Sequence, residues 1–268
     1  MRENRPAIPS EIKREVRQRC GFGCVICGSP IYDYEHMLEW AEVERHVADE
    51  ITLLCPSHHR EKTAKRLPSA SVINANKTPH NLKTLVTDKH LLYYEGNEVI
   101  MRFGNTNFII VDKGEGIKYA TLVMFHYPLI YATLKEKILL LNIDLFDIEG
   151  NLVLSIVENE LIISTGVWDI QYVSTKLTIR SEASDIFIEI DFITPNIIHF
   201  TRGKIYYKGI TFTIHPTKGF SYVNNEISST LTFNDCTFIG GVVGIVVHYE
   251  EPEYGGAVFI KAPRPDRI

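Results

Sequence analysis

Two pairs of soft ligands mark where this 268-residue chain can do chemistry. Cys24 and Cys27 form a C-x-x-C pair, and Cys55 and His58 form a C-x-x-H pair. Thiolate and imidazole donors in two such pairs are what a tetrahedral structural zinc ion needs. The second pair ends the apolar run Ile51-Thr52-Leu53-Leu54 and should open a helix. Glu35-His36 lies between the pairs and His59 follows the second, so a folded zinc site would gather a carboxylate and two further imidazoles nearby. His59 is the alternative to His58 as fourth ligand, and the spacing from Cys55 favours His58. Cys20 competes as well, but C-x-x-x-C makes a poorer knuckle, and Cys20 is expected to be a buried thiol.

The stretch from Cys24 to His59 resembles the HNH endonucleases of the ββα-metal (His-Me finger) group, in the variant with a treble-clef zinc knuckle. Their usual pattern is C-x-x-C, then His, then N-L-x-x-L-C-x-x-C-H. His36 matches the first His. Cys55 and His58 match the second zinc pair, with His in place of the more usual last Cys, and His59 matches the final His. The resemblance covers roughly the first third of the chain. It implies a metal-dependent endonuclease that hydrolyses DNA phosphodiester bonds, with His36 as general base and Glu35 and His59 as ligands of a catalytic divalent metal. An imidazole suits a base at neutral pH, and a carboxylate with an imidazole and open water positions suits Mg2+, Mn2+ or Ni2+. Fusion of a small nuclease to a larger non-catalytic domain suggests, by analogy of fold alone, a gated effector in defence against phage. Two other readings stand beside it: a non-catalytic zinc-dependent nucleic-acid-binding protein, and a structural or interaction protein whose β domain is the functional part. Glu50 occupies the place of the usual Asn. That Asn pins the loop between the strands, whereas an ionised Glu accepts hydrogen bonds but cannot donate them. A backbone N–H or Asp49 would have to complete the anchorage, or activity would fall.

Charge is distributed unevenly. The net charge of −5 argues against a general polyanion-binding surface. Lys13, Arg14, Arg17 and Arg19 nevertheless crowd the first expected helix, and Arg60, Lys62, Lys65 and Arg66 the helix after His59. Lys13, Arg14, Arg17, Arg60 and Lys62 are the expected phosphate contacts, and Arg60 or Lys62 would also stabilise transition-state charge. The intervening insert is acidic, with Glu39, Glu42, Glu44, Asp49 and Glu50. No apolar run approaches the roughly 20 residues of a spanning helix, and the N-terminus lacks the apolar stretch of a signal peptide. Four of the five cysteines fall between Cys20 and Cys55, which fits metal binding in a reducing compartment better than disulfides. A cytoplasmic protein without membrane contact is expected.

These residues must be positioned by an α+β module, residues 1–85, followed by an all-β domain, residues 91–268. A helix should start at Ser10 as N-cap, with Ile12 and Val16 on its apolar face, and end at the glycines around Phe22. A strand is expected over Ile31–Met37, a second over Ile51–Leu54, a helix from Pro56 to about Arg66, and another over Ser69–Asn76. Strict alternation along the first strand would separate Glu35 from His36, and a strand end or bulge there would let both reach one metal. From about Leu91, short β-branched and aromatic runs alternate with turn signals, with strands expected at Leu91–Tyr94, Val99–Phe103, Leu139–Phe146, Leu152–Val157, Glu160–Ile163, Asp169–Val173, Lys176–Ile179, Ile186–Phe192, Ile197–Phe200, Lys204–Tyr207, Thr211–Ile214, Ser229–Phe233 and Val242–Tyr249, reading as an antiparallel sandwich or meander with a β-solenoid as the alternative. Phe125–Lys135 is ambiguous. His126, His199, His215 and His248 are scattered and read as packed or surface residues; Cys236 and Trp168 are expected in the core, and the tail from Ala262 is expected to fray. The many strand edges need covering, so the β domain is expected to assemble the chain into a homo-oligomer.

Overall fold

The computed structural model describes residues 6–38, 40–112, 117–224, 229–250 and 256–262. The tail beyond Ala262 lies outside them. The chain divides into two compact units: residues 1–90 with 162–172, and residues 91–161 with 173–268. A stretch expected in the β domain therefore belongs with the N-terminal unit.

In the first unit, α1 spans Ser10–Arg19. Pro9, not Ser10, is its N-cap, because the extended Pro9 backbone already accepts the first helical bond from the Lys13 N–H at 3.0 Å. Strand β1 (Asp33–His36) pairs antiparallel with β2 (Ile51–Leu54), Asp33 opposite Leu54 and His36 opposite Ile51. Between them the acidic insert forms α2 (Trp40–Val43) and a 3-10 turn at Ala48–Glu50. All four residues of β2 are buried, which is why its sequence reads as an unbroken apolar run rather than an alternation. Helices α3 (Pro56–Thr63), α4 (Ser69–Lys77) and α5 (His80–Thr84) follow. The core gathers Val16 of α1, Cys20, Leu53 and Leu54 of β2, and Val72 of α4; burying each such aliphatic side chain contributes about 1.5–3 kcal/mol. The returning segment 162–172 is stitched on by the Thr87 N–H to Ile163 O at 2.9 Å and the Thr165 N–H to Leu85 O at 3.0 Å.

The second unit is built from hairpins and meanders. Strands 118–124, 127–135, 138–146 and 152–157 form one antiparallel run, and 176–180, 186–193, 197–207, 210–215, 219–224 and 229–233 another. The ambiguous stretch resolves as a strand, Tyr127–Lys135, entered through Phe125 and His126, both at positive φ. The sheet is not purely antiparallel: 100–103 pairs in parallel with 197–200, 107–109 with 237–239, and Val243–Val247 with Ala120–Met124. Ile197–Tyr207 is one strand where two were expected. Gly203, at φ +130, makes it possible: a Cβ there would lie 2.4 Å from Phe187 O. On one side of that bend the strand pairs with 100–103, on the other with 210–214. Stacked rings fill the interior, Phe103 on Phe200 at 4.8 Å and Phe220 on Phe233 at 4.8 Å. His199 and His215 are held by Gly104 O and Ser221 Oγ, and Cys236 is half-buried rather than in the core. Among the described residues no helix is long and apolar enough to cross a membrane.

Candidate metal centre and adjoining pocket

The backbone builds the knuckle before any side chain is considered. Gly28 N–H reaches Cys24 O at 2.7 Å and Cys24 N–H reaches Ser29 O at 2.9 Å, while Val25 N–H registers the turn on Leu53 O of β2 at 3.0 Å. Gly28 sits at φ +80, and a Cβ on it would meet Asn81 Oδ1 at 2.3 Å. Fully buried Asn81 on α5 donates to Gly21 O at 2.9 Å and Gly28 O at 3.0 Å, tying the knuckle from outside. Cys55 caps α3, its sulfur accepting from the His58 N–H at 3.5 Å, and Pro56 fills the first helical position, where a missing N–H costs nothing.

Cys24, Cys27, Cys55 and His58 thereby converge, their donor atoms all within 4.8 Å of one another. Cys24 Sγ and Cys55 Sγ lie 3.4 and 3.2 Å from His58 Nδ1, and Cys27 Sγ lies 3.7 Å from Cys55 Sγ. A tetrahedron with metal–sulfur bonds of about 2.3 Å and metal–nitrogen bonds of about 2.0–2.1 Å has S···S edges of about 3.7 Å and S···N edges of about 3.5 Å. The cluster can bind a metal such as zinc. The Cys24 thiol is pulled down from its ordinary value, first by a hydrogen bond from Cys27, whose own thiol is pushed up in return. Cys20 is a buried thiol, as expected, 3.8 Å from Thr52 Oγ1 and pushed up by burial.

Alternation on β1 puts Asp33 and Glu35 on one face and Tyr34 and His36 on the other. On the first face, His59 of α3 lies between the two carboxylates, Nε2 at 2.9 Å from Glu35 Oε2 and Nδ1 at 3.2 Å from Asp33 Oδ2. Because the carboxylates meet different ring nitrogens, these three residues do not form a second convergent cluster; among the described residues no other group of three His, Cys, Asp or Glu does. The second oxygen of Glu35 is taken by Lys62 Nζ at 2.5 Å, and the same ammonium reaches His36 O at 3.1 Å. His36 is 4 % exposed; its Nε2 is 3.2 Å from His46 Nδ1 and its ring packs edge-on to Trp40 at 5.2 Å. Glu35 and His36 nevertheless line one pocket of about 410 Å3, with Trp40, Lys62, Thr63 and Lys65.

The basic residues divide. Arg17 is a correction: it is 4 % exposed, its guanidinium forked onto Asp169 at 2.7 and 2.6 Å with Tyr34 OH at 2.7 Å, so its charge is spent inside the fold. Lys62 is another, 8 % exposed and turned onto Glu35. Arg14 lies over the ring of Trp168 at 4.6 Å, and Lys13 over Tyr34 at 5.6 Å. Trp168 is half-buried rather than core. Arg60 and Lys65 are exposed.

Asp169, Asn81 and His46 carry no sequence signal for these roles. Asp169 lies 152 residues from its partner; Asn81 sits in a five-residue helix with no apolar period; His46 lies in the acidic insert. Only the departure at Glu50 pointed to that insert as needing another anchor. Glu50 is anchored by Arg45, which forks onto its carboxylate and holds it below the ordinary carboxylate range. No protein-family model, characterised protein or solved structure matches the chain.

Proposed function

We propose that this chain is a metal-dependent endonuclease of the HNH type, acting on phosphodiester bonds of DNA. The observation that carries the reading is the contact of Glu35 with His59, 2.9 Å apart, with Glu35 and the neighbouring His36 lining one pocket. Zinc on Cys24, Cys27, Cys55 and His58 is structural in this reading. Glu35 and His59 would hold the catalytic Mg2+, Mn2+ or Ni2+, with Asp33 on the far nitrogen of His59 fixing the ring, as a carboxylate commonly does behind a ligating histidine. That metal, when bound, supplies Lewis-acid stabilisation of the charge developing on the phosphate. His36 takes the proton of the attacking water. Lys65 at the pocket rim and exposed Arg60 contact the phosphate backbone, in place of Arg17 and Lys62. The β unit gates or assembles the nuclease in the cytoplasm, for which full-length protein eluting as an oligomer at micromolar concentration is the expected result and a monomer the refutation.

The test is cleavage of plasmid DNA by the purified protein with each of the three metals. Cleavage that is lost by about 10²–10⁴-fold in His36→Ala, with zinc content unchanged, supports the reading. Two observations favour the second reading, a zinc-dependent nucleic-acid-binding protein without catalysis: Glu50 stands where Asn is usual, and Lys62 already occupies Glu35. Salt-dependent DNA binding with no cleavage under any metal would decide for it.

A further inference from the structure

We infer that the second unit carries a binding site for a neutral, mainly hydrocarbon small molecule bearing one carbonyl or hydroxyl group, in a cleft lined by Thr121; the inference does not rest on the endonuclease reading. The cleft has a volume of about 720 Å3, within the range of about 300–1,000 Å3 usual for small-molecule sites. It draws its lining from two parallel-paired blocks, 107–109 with 237–239 and 120–124 with 243–247. The chain crosses from one block to the other through residues 240–242, held by the Gly240 N–H on Ile109 O and the Ala120 N–H on Val242 O, each at 2.9 Å.

A local irregularity in the strands makes the space. Along Lys118–Met124, Ala120 pairs with Tyr131 and Leu122 with Ile130, so Thr121 is the extra residue of a β-bulge. On the other side Ala120 pairs with Val243 and Leu122 with Ile245, which sets Gly244 opposite Thr121. A Cβ on Gly244 would lie 2.7 Å from Thr121 O and 3.0 Å from Phe108 Cδ1, so the position opposite the bulge has to stay bare. Phe108 stacks on Phe238 at 4.8 Å, and both line the cleft. The lining reaches solvent through aliphatic side chains: Ile239 is 71 % exposed, and Val242 is exposed too.

The chemistry of the lining selects the ligand. Among the described residues, none that lines the cleft is charged. A buried charge without a partner is costly, so the ligand is neutral. Its body is hydrocarbon, because the exposed aliphatic surface of the cleft gains by leaving water. Thr121 calls for one polar group. That residue is 1 % exposed, and its hydroxyl has no hydrogen-bond partner in the protein. Buried hydroxyls are ordinarily paired, and an unpaired one costs free energy. A ligand carbonyl would accept from Thr121 Oγ1, and a ligand hydroxyl would donate or accept. Thr237, the other polar side chain of the lining, is exposed and is solvated without a ligand.

The experiment titrates full-length protein with prodan, a neutral naphthalene carrying one ketone, whose emission moves to the blue in apolar surroundings. One saturable site per chain is the expected result. Thr121→Val keeps the shape and removes the hydroxyl. It should weaken prodan binding by about 3–10-fold, the range for one hydrogen bond. It should leave unchanged the affinity of 2-ethylnaphthalene, which lacks the ketone, measured by displacement of the probe. Thr121→Ser should bind prodan as the wild type does. Ile239→Trp and Ala257→Trp each place an indole at an exposed position of the lining. Either should remove the saturable site at unchanged circular dichroism, the second serving where the first fails to fold. No saturable binding by the wild type, binding that survives both indoles, or equal prodan affinity in the wild type and Thr121→Val overturns the inference. So does a wild-type chain that elutes as a dimer and becomes monomeric in Ile239→Trp, because a second copy then covers the cleft.

Discussion

The N-terminal unit holds two groups of polar side chains a few residues apart, and they are built in opposite ways. The Cys24, Cys27, Cys55 and His58 cluster is shaped by backbone: a knuckle closed by main-chain hydrogen bonds, a helix N-terminus, and Asn81 bracing two carbonyls. Its donors face one point, at tetrahedral separations. Glu35, His36 and His59 are held by other side chains, each already paired: Glu35 with Lys62 and His59, His59 with Asp33, His36 with His46. A site shaped by the main chain aims its donors at one point once the chain is folded. Side chains fixed by pairing with one another would have to exchange partners to take an ion.

The largest test of this contrast is removal of a zinc ligand. Cys55→Ala should abolish metal content and unfold the first unit, since such ions contribute apparent energies of about 10–16 kcal/mol; hydrogen exchange should show deprotection of residues 6–90 with residues 176–224 still protected. Uniform deprotection of both units would break the comparison, because the cluster would then stabilise more than its own unit. Next in size is Asp169→Ala, which leaves Arg17 charged and buried without its carboxylate at a cost of about 3–5 kcal/mol. The double change Arg17→Met with Asp169→Leu should recover most of it, read from urea unfolding of the first unit. Asn81→Ala removes the donor to two buried carbonyls and should cost about 1–3 kcal/mol, accompanied by weaker zinc retention against a chelator. The smallest effects sharpen the other half of the contrast. His59→Ala should raise the divalent-metal concentration for half-maximal cleavage, whereas Lys62→Met, which removes the competitor for Glu35, should lower it, each by about tenfold or less. Shifts of the same sign would mean that Lys62 supports metal binding instead of opposing it.

What the sequence disclosed follows the same division. The zinc ligands and the order strand, strand, helix were legible because their signals are local: two fixed spacings, an apolar run, and a proline opening a helix. Ile51–Leu54 and Ser229–Phe233 were placed to the residue for that reason. The partners of Arg17, His36 and Lys62 were not, because a side chain's partner is set by tertiary contact and leaves no period. Arg17 read as a phosphate contact since four basic residues on one helix look alike until one of them is buried on an aspartate. In the second unit, Thr106–Val111 and Gly219–Asn224 were missed where glycine and asparagine at the turns dilute the β-branched pattern, and Ile197–Tyr207 was split at Gly203, which reads as a turn but acts as a bend within one strand.

The ion pair between Arg17 and Asp169 also has a consequence in time. A ribosome adds about 5–20 residues per second, so the separation of 152 residues between the two partners takes roughly 8–30 s to synthesise. For that interval α1 has emerged with the cationic side chain that its core will enclose, but without the carboxylate that neutralises it. The zinc ligands, all in hand by residue 58, can close on their ion long before. An ion taken up by the first unit can thus be bound early while its packing is completed late, and a nascent chain arrested between the two would carry a metal-stapled module whose packing is unfinished.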